Sequence, residues 1–207
     1  MDYVKIRLEG RSHLMMDALD PEGKKAGGAD PRSAHEQARA KLWRSITDDE
    51  SVVIPGVALW KTIKGGGRFV KRAGGKGAMW SSKSTSELPG VLEWLVDEAI
   101  LESVDGWTPH VGSVRTQKGE RLAVCRPVFT DWTIEFVVGV DTDLLPMDTF
   151  REIVDNAGRR IGLGVMRPER GYFNGQFLVV KWEVLKNYKT KRAVTRKKTR
   201  KTAVAVA

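Results

Sequence analysis

One stretch limits the fold more than any other. Val128, Thr130, Trp132, Ile134, Phe136, Val138 and Val140 alternate with mostly polar or smaller residues. Successive side chains of an extended chain point to opposite faces, so this pattern predicts a long strand with one face on a core. The text after it narrows the choice. Pro146 opens a helix, Asp148 favours its first turn, and Phe150, Ile153, Val154 and Ala157 supply an apolar stripe. Gly158 is expected to end that helix. A glycine-rich connection then leads into a second extended segment, Gly175–Leu185, carrying Phe177, Val179 and Lys181.

The remainder can be read around this frame. Tyr3, Ile6 and Leu8 predict an opening strand, followed by a Gly, Pro, Asp and Lys loop from Asp20 to Pro31. Ala34, Ala38 and Leu42 predict a helix within 31–43. Val52–Ile54 reads as a short buried strand, and Pro55-Gly56 turns the chain into a helix over 57–64. Gly65 to Gly77 holds six glycines and is expected to be irregular. Val91, Leu92, Leu95, Val96 and Ile100 suggest a short helix, and His110–Val124 a hairpin with Gln117–Glu120 at its tip. The order predicts an α+β, ferredoxin-like (RRM-like) sheet with two packed helices. It forms one domain over 1–185, with insertions at about 10–50 and 65–125 and a basic C-terminal tail at 186–207.

Charge is distributed unevenly. The formal net charge is +9. Lys186, Lys189, Lys191, Arg192, Arg196, Lys197, Lys198, Arg200 and Lys201 all lie beyond the last acid, Glu183. Removing those nine from 35 leaves 26 Lys and Arg against 26 Asp and Glu, a formally neutral body. A basic terminal arm suits polyanions, because each phosphate contact releases counterions without fixed geometry. A second basic surface must then come from sorting charges onto one face. No run of 18 apolar residues is present, the N-terminus lacks a signal-peptide pattern, and the single Cys125 cannot form an internal disulfide. A soluble, cytoplasmic protein with no membrane partner is expected.

Two basic, glycine-bearing segments are the candidate site. The first carries Lys61, Lys64, Arg68, Lys71, Arg72 and Lys76. The second, Gly158–Phe177, has five glycines that allow close backbone approach and positive φ, with Arg159, Arg160, Arg167 and Arg170 as forked donors for phosphate oxygens. Tyr172 and Phe173 add ring faces for stacking bases. Lys197, Lys198 and Arg200 of the tail add non-specific affinity. The Gly162-x-Gly164 spacing follows a helix rather than a strand, which excludes a dinucleotide-binding turn.

A glycine-rich loop after the second helix of a ferredoxin-like fold, leading into the last strand, resembles the RAMP superfamily of CRISPR RNA-binding proteins. Ile54-Pro55-Gly56, followed by a helix with Lys61 and Lys64, is similar to the start of the first helix in backbone subunits of CRISPR effector complexes. Those subunits usually show serines and a further glycine after Pro-Gly, where this chain has Val57, Ala58 and Leu59. A phage or mobile-element relative fits that departure. The resemblance implies a non-catalytic subunit that self-associates into a helical or filamentous oligomer along single-stranded RNA, with DNA as the other candidate. It also implies that the hairpin tip acts as a thumb.

Two rivals stay open. One is a structural assembly protein of a phage particle whose basic tail touches the genome. The other is a RAMP-type endoribonuclease using His13 as general base, although His13, His35 and His110 lack a partner constellation. One Cys and three scattered His give no zinc-type spacing, and no cofactor is expected. Asp141 and Asp143 read as turn chemistry, Asp48-Asp49-Glu50 as a solvated turn. Trp132 and Trp182 are expected in strands, and Trp80 is a stacking or interface candidate.

Overall fold

The computed structural model describes residues 1–20, 30–74, 77–115, 119, 121–186 and 188. Lys76, Lys197, Lys198 and Arg200, and the tip residues Gln117, Lys118 and Glu120, lie outside the described residues.

The architecture is α+β and ferredoxin-like. Strand β1 (Asp2–Gly10) is followed by β2 (Leu14–Met15), helix α1 (Ala34–Arg39), β3 (Val53–Pro55) and helix α2 (Gly56–Gly66). Next come the single turn α3 (Leu88–Val91), β4 (Leu92–Trp94), β5 (Glu98–Glu102), β6 (Trp107–Arg115), β7 (Arg121–Phe129), β8 (Thr133–Val140), α4 (Met147–Asn156) and β9 (Phe177–Leu185). The main sheet runs β3-β5-β8-β1-β9, with β4 also on β8, and its described pairings are antiparallel. A second sheet runs β2-β7-β6.

Register follows the alternation. Val4, Ile6 and Leu8 of β1 lie opposite Val138, Phe136 and Ile134 of β8, and all six are buried. Their common face carries α2, through Leu59 and Ile63, and α4, through Phe150, Ile153 and Val154. Each such side chain removed from water contributes roughly 1.5–3 kcal/mol, so this layer is the principal source of stability. The opposite face of the sheet carries internally paired charges beside the exposed Ile100 and Leu178. Lys5 meets Glu135 at 2.6 Å, Arg7 meets Glu102 at 2.8 Å, and Lys181 meets Glu183 at 3.0 Å. Tyr3 donates to Glu93 at 2.6 Å, and this bond is the main cause of a phenol pKa pushed up to about 12.

Several expectations are corrected. The long alternating run is two strands, because Thr130–Trp132 turn the chain between β7 and β8. Trp132 therefore lies in the turn, buried, with its Nε1 donating to the Ser12 carbonyl at 2.9 Å. The 88–101 segment forms only one helical turn before β4 and β5, since pairing with β8 and β3 captures its apolar residues. The 31–43 helix is short. Ser33 and Glu36 cap it reciprocally, and it ends where the Lys41 carbonyl accepts from the Ala18 N–H at 3.0 Å. Trp80 is buried beneath the Arg72 guanidinium, 5.5 Å from its ring centroid, rather than free for stacking.

Glycine behaviour differs most. Helix α2 continues through Gly65 and Gly66 and tightens into a 3₁₀ turn at Gly67–Phe69. A Cβ at Gly66 would run into the Ile153 carbonyl, and one at Gly65 into the Ile161 side chain. These glycines exist for helix–helix contact. Gly158 likewise fails to end α4, which continues as a π-turn over Ala157–Ile161; a side chain there would strike the Phe177 carbonyl. Gly162, at φ +75°, is the residue that stops it.

Candidate nucleic-acid interface

The α2–α4 packing determines what faces solvent at one end of the helical layer. With Leu59 and Ile63 in the core, helical spacing turns Lys61 and Lys64 outward. The 3₁₀ turn carries Arg68 beside them. The chain leaving α4 doubles back over this end: the Leu163 N–H donates to the Gly175 carbonyl at 2.9 Å, and the Val165 N–H to the Met15 carbonyl at 2.9 Å. Gly164 and Gly175, both at positive φ, approach the Met15 and Leu163 carbonyls too closely for a Cβ. This loop is fixed by backbone contacts within the chain. Its described glycines meet protein rather than open space, apart from Gly171.

Between the two segments lies a cleft of about 500 Å³, lined by Lys61, Lys64, Gly65, Arg68, Ser82, Lys83, Arg167, Glu169 and Arg170. Six cations face one carboxylate, a formal +5 within a body whose total charge is neutral. Glu169 locks two of them. Its Oε1 accepts from Arg68 Nη2 at 2.6 Å, and its Oε2 accepts from Arg167 Nη2 at 2.7 Å and Nε at 3.2 Å. Arg68 and Arg167 are further tied to the Gly65 and Gly164 carbonyls at 3.2 and 3.3 Å. Partial burial acts to raise the Glu169 carboxyl pKa, but the hydrogen bonds from Arg167 and Arg68 outweigh it and hold it below the ordinary range. Among the described residues Lys61, Lys64, Lys83 and Arg170 make no ion pair.

The other sequence candidates are distributed around this cleft. The Arg160 guanidinium covers the Phe69 ring at 4.6 Å, with Arg68 5.9 Å from the same centroid, which extends the basic band past the cleft. Arg159 is exposed on the π-turn, and its carbonyl accepts from Gln176. Tyr172 and Phe173 are 51% and 80% exposed at the loop end beyond Arg170, outside the cleft lining. Lys71 and Arg72 lie beyond it too, and Arg72 meets Glu87 at 3.7 Å. His13 is exposed, and its carbonyl accepts from Gly175 at 2.6 Å.

Sequence reasoning passed over Lys83 and Glu169. Lys83 is a lone cation among Ser81–Ser86, with no pattern to mark it. Glu169 did carry a signal as the sole acid between Gly158 and Phe177. Among the described residues no group of three His, Cys, Asp or Glu side chains is arranged to hold a metal ion, and no helix is long and apolar enough to cross a membrane.

No family model matches the chain, and no curated protein matches it. Among solved structures it is similar to Cmr6 from Pyrococcus furiosus, at 13% identity over 86% of this chain and 97% of that one, with a TM-score of 0.39.

Proposed function

We propose that this chain is a non-catalytic RNA-binding subunit that grips single-stranded RNA by its phosphates in the cleft between α2 and the 162–175 loop. The observation that carries this reading is the meeting of unpaired Lys61, Lys64, Lys83 and Arg170 from three segments in one groove. Unpaired, solvent-reachable cations lose little on meeting phosphate, whereas Lys5, Arg7 and Lys181 on the sheet face would first have to leave their carboxylates. The cleft therefore outcompetes the open sheet face as a polyanion track. Lys and Arg contacts of this kind fix a backbone without reading bases. Tyr172 and Phe173 stand where emerging bases would stack. Self-association along the strand, with the 186–207 tail adding non-specific contacts, completes the reading. Repeated subunits would sum modest affinities.

Fluorescence anisotropy with a labelled oligouridylate at rising salt tests it. If the four free cations each meet a phosphate, the single-strand slope of about −0.7 per contact predicts that the cleft alone weakens binding roughly fifty-fold between 50 mM and 200 mM salt, with any tail contacts adding to it. A flat salt response contradicts the reading. Gel filtration separates it from the assembly-protein alternative. Growth in size that requires RNA supports the subunit role, and rings or tubes formed without RNA contradict it.

A further inference from the structure

A carboxylate in the middle of a phosphate-binding groove demands a reason, since it repels the ligand the groove attracts. Glu169 is held ionised by the two guanidiniums, lines the cleft and keeps 29% of its side chain accessible. Ionised, it offers only acceptors, about two positions on each oxygen. Oε2 is filled by the Nη2 and Nε of Arg167. Oε1 takes one bond, from Arg68, and keeps one acceptor position. A second cation would fill it, but none of the other lining cations pairs with it.

From this geometry we infer that Glu169 is a sugar-reading residue: its free Oε1 position accepts the ribose 2′-hydroxyl of a strand whose phosphates lie on the surrounding cations. The inference rests on the RNA-binding reading and deepens it. A strand offers few donors at phosphate depth. Base N–H groups project away from the backbone, whereas the 2′-hydroxyl lies one sugar bond system from its own phosphate. It is also the group by which a protein distinguishes RNA from DNA. Deoxyribose places a C–H at that position and offers the carboxylate no donor, so the charged hydrogen bond is absent from a DNA complex. The same carboxylate keeps Arg68 and Arg167 in place, so the acceptor is rigid.

The test compares three labelled 15-mers on the full chain: oligouridylate, its deoxy counterpart and its 2′-O-methyl counterpart, so that the base is constant. The wild type is expected to bind the ribo strand about tenfold more tightly than the other two, the scale of one hydrogen bond to a charged group. Glu169→Ala should bring the three affinities together, with deoxy binding tighter because Arg68 and Arg167 lose their carboxylate partner. Glu169 lies on an exposed three-residue turn, and an unaltered melting temperature verifies the fold of the variant. Equal wild-type affinities for salt-sensitive ribo and deoxy binding overturn the sugar-reading role and leave the cleft intact. A Glu169→Ala loss that is equal for all three strands, with the ratio preserved, reduces Glu169 to an anchor for its arginines and overturns it as well. Failure of the wild type to bind any strand removes the parent reading, and this one with it.

Discussion

At the residue scale, glycine separates what can be read in the chain from what cannot. Gly66 and Gly171 look alike in sequence, each inside a basic, glycine-bearing segment. Gly66 is helical and presses on the Ile153 carbonyl, so Gly66→Ala must push α2 from α4. A loss of about 2–3 kcal/mol is expected in chemical denaturation. Gly171 sits at φ +81° in open space, so Gly171→Ala should cost only about 1 kcal/mol, the conformational term alone. Equal costs would contradict the packing assignment. The alternating apolar residues of β1 and β8 were legible because burial of one face imprints period two. The glycine roles were not, because the partner that excludes a Cβ is distant in the chain. The same holds for Trp80, whose apolar neighbours come from the fold rather than from its own serine-rich segment.

At the element scale, the errors fall where two periods compete. Val91, Leu92, Leu95 and Val96 suit a helix by spacing, yet Leu92–Trp94 pairs with Val138–Val140 on β8, and the sheet wins. The run ending in β8 concealed a turn because Trp132, a strand-former by type, caps that turn from inside. Asp131 holds the neighbouring β5–β6 connection. It accepts from the Val104 N–H at 2.6 Å, the Ser103 hydroxyl at 2.9 Å and the Asp105 N–H at 3.3 Å. The bond from the Val104 N–H is the chief cause of a carboxyl pKa below its ordinary value. A depressed folded pKa contributes stability above the ordinary carboxylate range, lost as pH falls through the folded value. Asp131→Asn should therefore make the acid limb of a stability–pH curve shallower and leave little change in its slope near neutrality. An unchanged acid limb would show that the turn does not depend on the charge.

At the scale of the whole molecule, a neutral body acquires a basic groove by gathering cations from three segments at one end of the helical layer while the charges of the sheet face stay paired. The sheet face pairs Lys5, Arg7 and Lys181, and Arg126 and Lys41 both pair with Asp17. The two segments that build the groove were visible in sequence as clusters of glycine and arginine or lysine. Their meeting was not, since it depends on α2 running through Gly65-Gly66 and on α4 continuing to Gly162. Nor was the lock at Glu169, which removes Arg68 and Arg167 from the freely available charge. Lys71 lies outside the groove, so Lys71→Ala should alter oligouridylate affinity less than Lys64→Ala in the same anisotropy titration.

The most direct test of the convergent groove is the salt slope of oligouridylate binding by Lys61→Ala/Lys64→Ala/Lys83→Ala/Arg170→Ala beside that of the wild type. Both proteins keep the basic tail, so the difference reports the groove alone. A slope shallower by about 2.8, four single-strand contacts, is the predicted result. Equal slopes would mean that the phosphates are held elsewhere and that these four side chains do not form a nucleic-acid track.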